Sequence, residues 1–300
     1  MEGDGNKISR LPEELLASII SLTSPPDAGR CAAVSRAFLA AADSDAVWSS
    51  FLPSDLPRFA QGMLRRAPPS KKGLFRCLSD QPALLPGNFV SMWLDRDTGA
   101  KCYMLSARSL HISWGGTKQY WEWIKLCSDE IQANKSFREA AQLRGVWWLL
   151  IRGEIHSTML SPNSKYAAYM VFKLADVFFN LDFPFQEALI SVGGNDSTRQ
   201  VCLQACVEDG DDGVPRKHIS RAIASWENQQ LPRTSYHAIP LTDDVMLPRK
   251  RADSWMEVEL GEFYNEEGCD REVSVCLKET EGGVYKAGLI VWGIEIRTKQ

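Results

Sequence analysis

The spacing of apolar residues changes once along this 300-residue chain, and that change constrains the fold more than any other feature. Up to about Leu56 the large apolar side chains recur at three- and four-residue steps, as in Leu11, Leu15, Leu16, Ile19 and Ile20, which is the period of a helix face. After Asn88 the period becomes two. Trp147, Leu149, Ile151, Gly153 and Ile155 alternate with Trp148, Leu150, Arg152, Glu154 and His156. The same alternation returns in Tyr166 to Leu174, Trp255 to Leu260, Val273 to Leu277 and Leu289 to Arg297. A helical pattern cannot be laid on a pleated sheet without exposing half of its apolar side chains, so two kinds of unit are expected.

The first unit reads as three short helices. Pro12 suits a first helical turn and Glu13 and Glu14 favour its positive end; Pro25 and Pro26 stop that helix. Asp27 is the expected cap of a second helix through Val34, and Ser35 to Ala42, with Phe38 and Leu39, forms a third. Trp48, Phe51 and Leu52 follow as anchors. About 50 residues bury only a small core, so this density of large apolar side chains exceeds what the unit can hold and implies a covering partner. Residues 56–87 are proline-rich around Lys71 to Leu78, long enough for two helical turns, and read as a helical linker. A linker packed on both neighbours would hold them at one distance.

Turn signals such as Gly115-Gly116, Ser161-Pro162-Asn163, Gly193-Gly194 and Gly282-Gly283 separate the alternating runs, and no helix-length pattern intervenes between them. An antiparallel β-sandwich is therefore expected over residues 88–298, not a βαβ fold. Eight of the ten Trp lie beyond residue 100, more than one core takes up, so some should reach a binding face. The stretch Ala107 to Gly116, followed by Gln119 to Trp123, gathers Trp114, Trp121 and Trp123 around a double-glycine turn. Such aromatics suit a sugar, whose C–H face stacks on a ring while carboxylates and amides take its hydroxyls. The pattern leaves open whether Trp114 and Trp123 are core with only Trp121 exposed.

Other chemistry is thinly represented. Net charge is -4, too small to draw the whole molecule to nucleic acid or an anionic membrane. The longest apolar run, Val146 to Ile151, falls far short of a membrane span, and residues 1–7 lack the pattern of an export signal. Neither nucleic acid nor membrane is expected as a partner, and the chain is expected in the cytoplasm, the nucleus or both, with Pro248 to Arg251 as a possible import signal. Eight Cys without a C-x-x-C pair, and only four scattered His, spell no metal site, so thiols should be reduced and the sequons at Asn134 and Asn195 idle. No nucleophile elbow, phosphate loop or dinucleotide fingerprint occurs, so neither catalysis nor a cofactor is indicated.

The run Leu11-Pro12-Glu13-Glu14-Leu15-Leu16, then Ile19-Ile20, Cys31 to Ser35, Phe38 and Trp48, resembles an F-box over residues 7–55. That resemblance implies docking on the small adaptor protein of cullin-RING ubiquitin ligases. Physically, an apolar helix face would lie in a groove, with Leu11, Pro12, Leu15, Leu16, Ile19, Ile20, Val34, Phe38 and Trp48 as contacts.

From about Asn88 onward, Lys101 to Ser106, Gly145 to Leu149, Tyr166 to Leu174, Trp255 to Phe263 and Gly288 to Arg297 resemble the phloem protein 2-like, Nictaba-related lectin domain. With the F-box, the whole is similar to the plant F-box/phloem-lectin family. The resemblance implies a jelly-roll-like lectin sandwich binding N-acetylglucosamine oligomers or N-glycans, with Trp114, Trp121, Glu272 and Glu279 at the family's sugar-contact positions. Glu272 and Glu279 are seven residues apart, about 23 Å of strand and an odd step, so they share no face unless a bulge intervenes. That separation also argues against a glycosidase pair. The combined expectation is a non-catalytic substrate-recognition subunit of a ubiquitin ligase that reads a glycan or glycoprotein; the alternative is a free cytoplasmic or nuclear lectin with no ligase role.

Overall fold

A computed structural model describes residues 11–62, 68–127, 137–209, 215–219, 244–268 and 270–299. Among the described residues five α-helices come first: α1 (Glu13–Ile20), α2 (Pro25–Cys31), α3 (Arg36–Asp43), α4 (Asp45–Phe51) and α5 (Lys71–Asp80). The first expected helix is found, with Pro12 not in its first turn but just before it as the N-cap, and with Glu13 and Glu14 in that turn. The next differs. Pro25 and Pro26 open α2, and Ser24 caps it, accepting from the Asp27 amide; proline's missing N–H costs nothing at a first turn. Trp48 and Phe51 lie on a further helix, α4, capped by Ser44. A serine likewise caps α3 (Ser35) and α5 (Ser70).

The strands follow as β1 (Ala83–Leu84), β2 (Val90–Leu94), β3 (Lys101–Ser106), β4 (His111–Ile112), β5 (Trp121–Lys125) and β6 (Glu139–Leu143). Next come β7 (Leu149–His156), β8 (Ser164–Phe179), β9 (Gln186–Val192), β10 (Asn195–Val201), β11 (Ala205–Asp209) and β12 (Pro215–Ile219). The last are β13 (Val245–Met246), β14 (Arg249–Lys250), β15 (Met256–Asn265), β16 (Glu272–Glu279) and β17 (Ala287–Thr298). One sheet runs β1-β2-β3-β17-β8-β15-β14-β11-β12, with β6 and β5 joined beside β17; the other runs β13-β10-β9-β16-β7-β4. Neighbours are antiparallel except β10 with β13 and β11 with β14. Alternate residues of both sheets, such as Ile294 and Ile296 on β17 of the first and Leu149, Ile151 and Ile155 on β7 with Val273, Val275 and Leu277 on β16 of the second, are buried between the layers.

The helical unit joins this core. Trp48 donates its indole N–H to Ala42 O at 2.7 Å and packs on Phe75 of α5, ring centroids 5.1 Å apart. Gly99, at φ +76°, lies against the Phe51 carbonyl, where a Cβ would collide. Lys101, almost fully buried, meets Asp55 at 2.6 Å. The amide of Ala60 donates to Leu84 O. The segment after α4 thus packs on both neighbours.

On the side of the first sheet turned from the core, Arg297 bonds Glu257 and Glu295, Arg251 bonds Asp253, Glu257 and Glu295, and Lys299 pairs with Glu259 and Glu262. Arg251, the last residue of the basic cluster, is therefore bound within the fold and is not part of a free basic loop. Hydrogen bonds from Lys165 and Lys299 lower Glu262 from 4.5 to about 2. Partial burial raises Glu257, but bonds from Arg297 outweigh it and the carboxyl ends below its ordinary value. A depressed carboxylate stabilises the fold above its unfolded pKa and loses that contribution as protons bind. Thermal midpoints should accordingly fall as pH drops from 4.5 towards 2, and Glu262→Gln should flatten that part of the profile; an unaltered profile would show the network contributes nothing.

Candidate functional site

Three segments meet at the end of the sandwich where β7 begins and β16 stops: the loop between β4 and β5, residues 144–148, and the turn between β16 and β17. The first is tied down by Ser113 N–H to Leu150 O at 3.0 Å, and Arg144 N–H to Tyr120 O at 2.8 Å joins it to the second. Val146 and Lys286 exchange backbone hydrogen bonds of 2.9 and 2.7 Å, joining the second to the third. Trp114, Trp147, Trp148 and Tyr285 stand exposed here. The Trp114 and Trp148 rings meet edge to face at 6.4 Å, and Tyr120 lies 5.8 Å from Trp114. Beside Tyr120, Arg144 and Glu122 form a part-exposed ion pair at 2.7 Å. Aromatic faces beside a carboxylate and a guanidinium are the groups that hold a pyranose, stacking its C–H face and bonding its hydroxyls.

Trp114 is 48% exposed at φ +58°, a region costing roughly 1–3 kcal/mol for a residue other than glycine. Its neighbours hold it there. Trp121 donates its indole N–H to Ser113 O at 3.1 Å, and Trp123 donates to Gly115 O at 3.0 Å, so one indole pins the backbone on each side. Trp121 itself is only 2% exposed. The sugar-contact position expected of Trp121 is thus corrected: in this fold it supports Trp114 from beneath. The alternative in which Trp121 alone is exposed is reversed.

The two glutamates also part company. β16 pairs with β7 and β9 in unbroken register, so the odd step puts them on opposite faces. Glu272 is exposed beside Arg152 at 3.3 Å, opposite His156, about 23 Å of strand from the aromatic end. Glu279 points inward. Its carboxylate pairs with the wholly buried Lys286 ammonium and accepts the Gly282 amide at 2.6 Å, while Lys286 also donates to Val284 O at 2.9 Å. Neither glutamate reaches the exposed rings, Glu272 by distance and Glu279 by burial. Of the four expected sugar residues the structure brings Trp114 alone to this surface. The two-residue alternation places Trp147 and Trp148 on a strand, whereas both lie in the bend before β7; two adjacent tryptophans cannot share one inward face, which is the signal that the sequence carries for them, and it carries none for Tyr285.

A second surface lies on the helices. Leu15 and Ile19 are 52% and 53% exposed, and Leu22, Val34 and Leu39 are exposed as well; Pro12 is exposed, Leu11 and Phe38 part-buried. Leu16, Ile20 and Trp48, expected among the contacts, are buried at 1%, 1% and 4%. They fill the unit's own core and are not open to another chain. The i, i+4 step from Leu15 to Ile19 puts those two in one stripe on α1, and Leu22 follows in the turn after the helix, its amide donating to Ile19 O.

An F-box-like family model matches residues 8–54 and a phloem protein 2 model matches residues 100–298. The F-box protein PP2-B1 of Arabidopsis thaliana is 34% identical over 98% of this chain and 91% of its own length. The chain belongs to the F-box/phloem protein 2 family. A further family member, the F-box protein PP2-B10 of Arabidopsis thaliana, is 33% identical over 99% of this chain and 96% of its own. Among solved structures, the complex of TmCBM61 with β-1,4-galactotriose aligns over 63% of this chain and 87% of that one with TM-score 0.27 and 10% identity, too remote to inform what this chain binds. In family terms, then, an F-box leaves Leu15 and Ile19 uncovered, and a phloem protein 2 domain carries the aromatic end. No helix among the described residues is long and apolar enough to cross a membrane.

Proposed function

We propose that this chain is the target-recognition subunit of a cullin-RING ubiquitin ligase, whose helical unit docks on the adaptor protein and whose sandwich binds a carbohydrate on a glycoprotein target. The exposure of Leu15 and Ile19 on α1, with Leu22 just past it, on a unit whose Leu16, Ile20 and Trp48 are already buried is the observation that carries this reading. An uncovered row of large aliphatic side chains on a short helix is what a groove-binding helix presents. The chain would do no covalent chemistry. It would raise the effective concentration of a target lysine beside the ubiquitin-loaded enzyme, and the packing of Phe51, Asp55 and α5 on the sandwich would keep the two surfaces at one separation. Such work lies in the cytoplasm or nucleus.

On the sugar side, Trp114→Ala should leave the thermal midpoint within a few degrees and weaken binding to a glycan array by at least about tenfold, since it removes one exposed stacking face. Trp121→Ala should instead unfold the loop and the sandwich edge together, because a buried tryptophan is lost at a cost of about 3–5 kcal/mol. Calorimetry and array binding on both variants separate the roles. Undiminished binding by Trp114→Ala would remove it from the site. Ubiquitylation of a captured glycoprotein by the reconstituted ligase, abolished by Trp114→Ala, tests the whole proposal.

A further inference from the structure

Trp147 and Tyr285 form a second aromatic pair, ring centroids 4.9 Å apart and inclined at 62°, and Trp147 directly precedes Trp148, whose ring meets Trp114. Their placement is built from below. Trp147 follows Val146 and Tyr285 precedes Lys286, so the antiparallel bridge between Val146 and Lys286 sets the two rings side by side. Lys286 is in turn held by its buried ion pair with Glu279. Tyr285 donates its hydroxyl to Arg144 O at 3.1 Å, and its carbonyl accepts from the Asn180 side-chain amide at 2.6 Å. Gly145 leaves room for that phenol: a Cβ there would collide with Tyr285 Oη.

We infer that Trp147 and Tyr285 are a second sugar-stacking subsite, so that this end of the sandwich takes an oligosaccharide of at least two rings, one on Trp114 and Trp148 and the next on Trp147 and Tyr285. The inference rests on the carbohydrate reading proposed above and extends it. Adjacent residues Trp147 and Trp148 turn to different partners, so one continuous backbone carries both subsites. Glu279 acts here as a positioning residue. It reaches no sugar and works through Lys286 and the bridge.

Titration calorimetry with β-linked N-acetylglucosamine, glucose and galactose oligomers of one to four rings tests this. For the full-length protein, affinity should rise by on the order of tenfold from the single ring to the longer oligomers, as a second stacking contact is added. Trp147→Ala, Tyr285→Ala and Gly145→Ala should each remove most of that rise. Trp147→Ala truncates an exposed side chain and should fold normally even if Gly145→Ala does not. Glu279→Gln, which can still accept from Gly282, should keep more of the rise than Glu279→Ala. A rise that survives Trp147→Ala and Tyr285→Ala would overturn the second subsite and leave the carbohydrate reading standing. Absence of binding at every length would overturn both.

Discussion

Lys286→Ala is expected to lower the unfolding free energy by roughly 3–5 kcal/mol, the loss seen when one partner of a buried ion pair is removed. Lys286 has no exposed side-chain surface and Glu279 is 5% exposed, so the carboxylate left behind would lie uncompensated beneath the turn between β16 and β17. Its second oxygen would keep the Gly282 amide, which offsets only part of the cost. The double variant Glu279→Gln with Lys286→Met should recover most of the stability, because a neutral amide can still accept from Gly282 and an apolar side chain fills the lysine's volume. Denaturant titration at constant slope reads both outcomes. A loss below about 1 kcal/mol for Lys286→Ala would mean that water reaches the pair, and Glu279 would return as a candidate for sugar contact.

The paired variant Leu15→Asp with Ile19→Asp should weaken capture of the adaptor at least about 100-fold, close to 2.7 kcal/mol, while circular dichroism and the thermal midpoint change little. Both side chains are half exposed, so the charges stay hydrated in the free chain but would have to be buried in a docked groove. Leu16→Asp should behave differently. Leu16 is 1% exposed inside the helical unit, and a carboxylate there should unfold α1 to α4. Retained capture by the Leu15 and Ile19 pair would count against docking through α1. Loss of capture with Leu16→Asp alone would say nothing, since that protein would be unfolded; the contrast between adjacent leucines carries the test.

Much of the fold was legible. The step from a three-to-four to a two-residue period separates α1–α4 from the sheets, and the alternations at Leu149 to Ile155 and Val273 to Leu277 fall on the core faces of β7 and β16. The odd step between Glu272 and Glu279 was legible too, because parity along an unbulged strand is local geometry. The helix on Trp48 was not, since a seven-residue segment, Asp45–Phe51, has too little period to announce itself. Nor was the opening of α2 on Pro25, where proline can end one helix or begin another and only the Ser24 cap decides.

The site was read less well, and for one reason. Periodicity marks which residues of a helix or strand share a face, but Trp114, Trp147, Trp148 and Tyr285 lie outside the helices and strands, where no period applies. By itself the sequence determined that a helical unit precedes an antiparallel sandwich, that α1 carries more aliphatic residues than a small core absorbs, and that tryptophans crowd the second unit. Only the tertiary structure decided which of Leu15 and Leu16 faces out, that Trp121 lies beneath Trp114, and that Glu279 belongs to a buried pair with Lys286. Those outcomes depend on which chain segments, distant in sequence, close over a given side chain, and burial of that kind is a property of the assembled layers and of no local pattern.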